Sequence, residues 1–135
     1  MPISAVFSDL GAPLRNIRWS WGAVNPTSGA VILRVWTDET RKHNGWDVVR
    51  LTNRAHFEGR KSLGYAERTN HIQLLCNGRP GVLFFCQAKE SGKIPRRLKS
   101  YRADRIFPTG RLCEVDGDVY VPYLDGESVT RIKQK

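Results

Sequence analysis

A chain of 135 residues with 40% apolar and 10% aromatic content has enough to bury to fold without staples, and it does not read as disordered. Its 22 Lys and Arg against 13 Asp and Glu leave a formal charge of +9, a surplus that favours polyanions through counterion release. Charge alone does not separate DNA from RNA, or either from an acidic protein. The longest apolar runs, Ala30 to Leu33 and Val82 to Cys86, are strand-sized, so no membrane span is expected. The opening MPISAVFSDLG lacks the pattern of a signal peptide, which makes the expected location cytoplasmic.

In chain order, Met1 to Leu14 reads as a short lead-in that ends at the turn signal Gly11-Ala12-Pro13. Asn16 to Trp36 reads as a β-hairpin, with Trp19 and Trp21 on one face of its first strand and Arg18, Ser20 and Gly22 on the other. The return strand from Ala30 is a near-continuous apolar run, as expected in a sheet covered on both sides. Val31, Leu33 and Val35 share one face; Ile32, Arg34 and Trp36 share the other. Asn25 to Gly29 supplies the turn.

Thr37 to Gly45 is a charged connection closed by Asn44-Gly45, and Trp46 to Leu51 is a third strand, expected to bring Trp46 to the aromatic group if it pairs with Ile32 to Trp36. Asn53 to Ser62 reads as loop. Leu63 to Asn77 shifts to helical spacing, with Tyr65, Ile72, Leu75 and Cys76 on its apolar face and Gly78 as its stop. Val82 to Ala88 is a central strand, and Ser91 to Arg105 a basic connection with a short helix from Pro95. Arg111 to Val115 and Asp118 to Leu124 form a hairpin across Asp116-Gly117. The expected fold is α+β over residues 1–135 as one domain: about six strands, mainly antiparallel, barrel-like, with one main helix.

Two features point to nucleic acid. Trp19, Trp21, Trp36 and Trp46 are candidates for a base pocket, since aromatic faces stack an unpaired or extruded base, with Asp38 or Asp47 at the base edge and Arg18 or Arg34 on phosphate. Ser91 to Arg105 carries six cations, Lys93, Arg96, Arg97, Lys99, Arg102 and Arg105, against the single acid Asp104. With Arg15, Arg18 and Arg54 these are the expected phosphate contacts.

Catalytic groups are sparse. His43, His56 and His71 are far apart, and Glu67 with His71 reads as a surface pair on the helix. Asp38 and Glu39, adjacent in an extended stretch, are expected to diverge. Cys76, Cys86 and Cys113 form no CxxC pair and read as buried free thiols, so neither a metal nor an organic cofactor is indicated.

Gln87-Ala88-Lys89 at the end of a strand resembles the QxK element of Mrr-like PD-(D/E)xK nucleases, which implies a lysine positioning the attacking water. The matching acid is missing, because Leu74 to Phe85 contains none. RWSWGAV (18–24), VILRVWTDE (31–39) and ADRIFPTGRLCEVDGDVYV (103–121) resemble pieces of a small bacterial domain associated with restriction-type HNH nucleases. The architecture is similar to PUA-like domains that read modified bases, the SRA and EVE types, and Trp46-Asp47-Val48-Val49-Arg50 resembles the WDGVR-type run of EVE domains without its glycine. That resemblance implies a pocket for a flipped, modified base in DNA, with any cleavage supplied by a nuclease or other protein partner in trans. An acidic protein partner for the basic face is a third reading.

Overall fold

Ile3, Val6, Phe7 and Leu10 fall at helical spacing, and Ile3–Asp9 is a helix (α1) in the computed structural model, which describes residues 2–92, 96–102 and 104–124 and the backbone of 127–128. The expected lead-in is therefore a core element. Val6 and Phe7 are buried, and Phe7 meets Phe84 edge-on with ring centroids 5.3 Å apart.

The first hairpin is real but shorter than its alternating tryptophans suggest. Gly22–Val24 (β1) pairs antiparallel with Val31–Trp36 (β2). Between them the Asn25 side chain accepts the Thr27 and Ser28 amides, and Gly29 takes a positive φ of 78°. Residues 16–21 are not a strand. The Ser20 amide donates to the Asn16 carbonyl at 2.9 Å and Asn16 Oδ1 accepts the Arg18 amide, so the segment coils and Trp19 and Trp21 share no strand face.

A 3-10 turn, Thr37–Glu39, leads to Thr40–His43 (β3) and, through Asn44 (φ 51°) and Gly45 (φ 82°), to Trp46–Arg50 (β4). Arg54–Phe57 (α2) is a one-turn helix where loop was expected, started by the Asn53 side chain accepting the His56 amide. Leu63–Cys76 (α3) is the main helix, capped by Ser62 and followed by Gly78 at φ 91°. Then come Gly81–Ala88 (β5), Leu98–Tyr101 (β6), Arg105–Pro108 (β7), Cys113–Val115 (β8), Asp118–Pro122 (β9) and Glu127–Ser128 (β10). Asp116 (φ 52°) and Gly117 (φ 85°) make the last two-residue hairpin turn. The basic connection contains β6 in place of the expected helix; Lys93 to Pro95, where that helix was to begin, lie outside the described residues.

The fold is α+β, with mostly antiparallel sheets and α3 as its one main helix. A six-stranded sheet curves into a half-barrel in the order β1-β2-β5-β7-β10, with β6 also on β5. β5 is its central strand: it runs parallel to β2 on one edge and antiparallel to β6 and β7 on the other. A four-stranded sheet runs β3-β4-β9-β8, so Trp46 sits in the second sheet, 56% exposed, and does not join the hairpin tryptophans.

The two-sided reading of β2 corresponds to two cores. Ile32 packs with Val6, Phe7, Phe84, Cys86 and Ile106 on the α1 side. Val31, Leu33 and Val35 pack with Val49, Leu51, Val121 and Ile72 on the side of the second sheet and α3. On α3 the buried stripe is rotated from expectation: Gly64, Arg68, His71 and Ile72 point inward, while Cys76 is exposed. Of the three thiols only Cys86 is buried.

Candidate functional site

β1 begins at Gly22, opposite Leu33, so beyond that point the outer edge of β2 loses its strand partner. The backbone groups left there are met by other means. The Arg34 amide donates to the Trp21 carbonyl at 3.1 Å, and the Arg34 carbonyl accepts from Arg68 Nη2 at 2.8 Å. Arg68, on the inward face of α3, is only 4% exposed and also reaches the Trp21 carbonyl at 3.2 Å.

This open edge borders a cleft of about 290 Å³ between the two sheets, α2 and α3. Its aromatic lining is Trp21, Trp36, Phe57 and His56; its charged lining is Arg34, Arg50, Arg68, Arg96 and Glu39. The aromatic wall is built tightly. Trp21 and Phe57 lie 5.3 Å apart, Phe57 stacks on Tyr65 at 4.8 Å and 16°, and His56 stands edge-on to Phe57 at 4.6 Å. Gly64 of α3 lets the tryptophan loop sit this close, because a Cβ there would fall 2.5 Å from Trp21 Cε2 and 2.7 Å from the Trp19 carbonyl oxygen.

The four arginines divide into two pairs. Arg50 donates to Glu39 through Nε at 2.5 Å and Nη2 at 2.8 Å and lies 3.8 Å from Asp118. Arg96 bonds Asp38 Oδ2 at 2.5 Å and also Glu39 Oε1. Asp38 and Glu39, expected to diverge, converge on Arg96 because the 3-10 turn carries both to one side. Burial alone would raise the Asp38 carboxyl, but the Gly92 amide and Arg96 hold it below the usual carboxylate range. Burial likewise opposes the Arg50 charge, and Glu39 outweighs it, so Arg50 stays above its ordinary value.

Arg34 and Arg68 have no such partners. Among the described residues neither makes an ion pair, and Arg68 Nε is buried with no hydrogen-bond acceptor. Arg34 lies over Trp36 at 5.9 Å and Arg68 over Trp21 at 5.8 Å. Burial, then the neighbouring Arg34 charge, push Arg68 down to about 9, still cationic at neutral pH. The neighbouring Glu67 partly offsets that lowering; its Oε2 accepts the Ser20 hydroxyl at 3.2 Å and its Oε1 is buried without a hydrogen-bond partner. His71, also buried on α3 and not a surface partner of Glu67, is pushed down to about 4, by burial first and Arg68 second, and is neutral.

Of the expected base-pocket residues, the cleft brings together Trp21 and Trp36. Trp19 is half-buried beside α3; Trp46 lies on the β3–β4 hairpin, where Asp47 is held by Lys42 at 2.7 Å; Asp38 faces Arg96. Of the expected phosphate contacts, Arg15, Arg18, Arg54, Arg97, Lys99, Arg102 and Arg105 are exposed, Arg96 is bound by carboxylates, and Lys93 lies outside the described residues. Arg102 is tied to both oxygens of Asp104 at 3.0 Å.

Gln87 shares a second recess, of about 190 Å³, with Thr37, Asp38, Ala88 and Ser91. Asp38 Oδ1 is buried there without a partner, while Oδ2 is held by Arg96. A metal ion drawn to that carboxylate meets a guanidinium already in place. Arg50, Arg68, Phe57, His56 and Glu39 are among the lining residues that local pattern reading did not identify, since they reach the cleft from four separate elements, β4, α3, α2 and the 3-10 turn. No helix among the described residues is long and apolar enough to cross a membrane. No protein-family model, curated protein or solved structure was found to match this chain.

Proposed function

We propose that the chain is a non-catalytic nucleic-acid-binding module, with DNA as the first candidate, that takes one unstacked nucleotide into the cleft. The observation that carries this reading is the joining of an aromatic lining, Trp21, Trp36 and Phe57, to the Arg34 guanidinium, which makes no ion pair among the described residues, in a space of about 290 Å³. That is near the lower end of the roughly 300 to 1,000 Å³ of ligand sites, and it suits a single base better than a run of them. Aromatic faces supply stacking worth about 1–3 kcal/mol per base.

The exposed cations supply the remaining affinity. Arg54, next in sequence to Asn53 of the cleft lining, and Arg97, next to Arg96, are exposed and would meet a phosphate backbone, Arg54 in exchange for its 3.8 Å ion pair with Glu58. A modified base, as in the PUA-like readers, is the finer form of the same proposal. The nuclease reading on Gln87 and Lys89 has weaker support, because the carboxylate beside Gln87 is neutralised by Arg96.

The test is tryptophan fluorescence during titration with short DNA duplexes, unmodified and cytosine-methylated, and with the single strand, at two salt concentrations. Quenching is expected to follow binding, and affinity to fall steeply with salt. Salt-independent affinity, or binding with no change in Trp21 and Trp36 emission, would sink the cleft model.

A further inference from the structure

Ile17 and Leu63 are 73% and 64% exposed, the two most exposed large apolar side chains among the described residues. One contact joins them. The coiled segment lies on the start of α3: the Asn16 amide donates to Ser20 Oγ at 3.1 Å, the Ser20 hydroxyl donates to Glu67, and Gly64 leaves room for the Trp19 carbonyl. Ile17 precedes Trp19 by two residues and Leu63 directly precedes Gly64, so both flank that contact. The same contact borders the cleft, because Trp21 also packs against Gly64 and the Arg60 amide donates to the Phe57 carbonyl at 3.0 Å.

Around these two side chains the charge is of one sign. Arg15, Arg18, Arg60 and Lys61 are exposed, and none makes an ion pair among the described residues. Neither residues 14–21 nor residues 59–66 contain an acid. The acids just outside are engaged: Glu58 lies 3.8 Å from Arg54, and Glu67 turns inward to Ser20 with its Oε1 buried. A surface with no such partner mixes both signs and scatters its exposed apolar residues singly.

An aliphatic side chain among cations suits a strand, in which sugar alternates with charged phosphate. It also tells two strands apart. The C2′ of deoxyribose is a methylene, which gains by being covered; the 2′-hydroxyl of RNA pressed on the same side chain loses water and finds no hydrogen-bond partner. Resting on the nucleic-acid reading above, we infer that Ile17 and Leu63 select DNA over RNA by covering the sugars beside the nucleotide held in the cleft. Arg15, Arg18, Arg60 and Lys61 hold the phosphates of that stretch and are indifferent to the sugar.

Fluorophore-labelled DNA and RNA single strands of one sequence, both containing uracil so that only the sugar differs, are titrated against three proteins. These are the wild-type chain, the double variant Ile17→Ser/Leu63→Ser and the double variant Arg18→Gln/Lys61→Gln, with thermal melts to verify folding. Wild type should bind DNA at least tenfold more tightly than RNA. The serine variant should close that gap through weaker binding of DNA. The glutamine variant should lose affinity for both strands alike, with a salt slope smaller by about 0.7 per charge removed. Equal affinity of wild type for the two strands, or a DNA preference unchanged by the serines, would overturn the inference and leave nucleic-acid binding standing. Binding of neither strand would overturn both. Phosphatidylglycerol vesicles are the control for another anionic surface: vesicle binding that the serines abolish, with both strands unaffected, would assign the two side chains to a membrane and overturn the sugar contact.

Discussion

The two sides of the cleft use the same residue type to opposite effect. On one side Arg50 and Arg96 are locked by Glu39 and Asp38 into a closed network, with side chains only 24% and 11% exposed. On the other, Arg68 donates Nη2 to the Trp21 and Arg34 carbonyls, and the Arg34 and Arg68 guanidiniums lie over Trp36 and Trp21. The paired arginines fix architecture; on the proposed reading the other side meets the ligand. The largest expected effect is therefore on the closed side. Glu39→Gln leaves two guanidiniums short of a carboxylate, and breaking a buried pair in this way costs about 3–5 kcal/mol. Urea unfolding should show the midpoint fall at unchanged slope. A wild-type midpoint would mean that the network is not structural.

How much of this division was legible in the sequence depends on how local its cause is. Asn25 to Gly29, Asn44-Gly45 and Asp116-Gly117 were readable as turns because their backbone demands are met by neighbouring atoms. The two-sided burial of Val31–Trp36 was readable because a continuous apolar run has few other uses. Trp19 and Trp21 misled because the Asn16 side chain bonds its own segment and coils it, overriding an alternation that looks like a strand. The α1 signal, Ile3, Val6, Phe7 and Leu10 at i, i+3, i+4 and i+7, covers only two turns, too short a stretch for helical spacing to stand out from a lead-in. The cleft itself was not readable: Arg96 meets Asp38 and Glu39 across 58 and 57 positions, and Arg68 is drawn inward by a carbonyl 34 positions away.

His71 offers a second handle, on the side where Arg68 lies. Its folded value near 4 is below the ordinary 6.5, so the unfolded chain takes up the proton first as pH falls. The stability given by keeping it neutral is complete above about pH 6.5 and is lost between there and pH 4. At about 1.4 kcal/mol per pH unit, the loss is on the order of 3 kcal/mol. Melting temperatures from pH 7 to pH 4 should fall in that window, and His71→Gln should flatten the fall. A profile unchanged by the substitution would assign the acid sensitivity to the carboxylates, Asp38 first.

Gly64→Ala probes how the open side is assembled. The new Cβ meets the Trp21 ring and the Trp19 carbonyl, and crowding of this kind costs about 1–3 kcal/mol. The tryptophan loop should yield before the helix does, which predicts red-shifted emission with unchanged helical circular dichroism. Loss of helical signal would place the strain in α3.

The smallest effect on stability is expected from Arg34→Gln, and its sign sharpens the contrast between the two sides. The substitution gives up one cation–π contact with Trp36, worth about 0.5–1 kcal/mol. It also removes a half-buried charge that has no ion-pair partner among the described residues and presses on Arg68, a burden of about 1–3 kcal/mol. The sum lies between no change and a gain of about 2 kcal/mol. Arg96→Gln, which strands Asp38 and Glu39, must lose stability. The same chemical change should therefore have opposite outcomes at two arginines that both lie over Trp36, at 5.9 and 5.3 Å. If Arg34→Gln unfolds as readily as Arg96→Gln, then Arg34 is a structural residue and its charge is not held in reserve for a ligand.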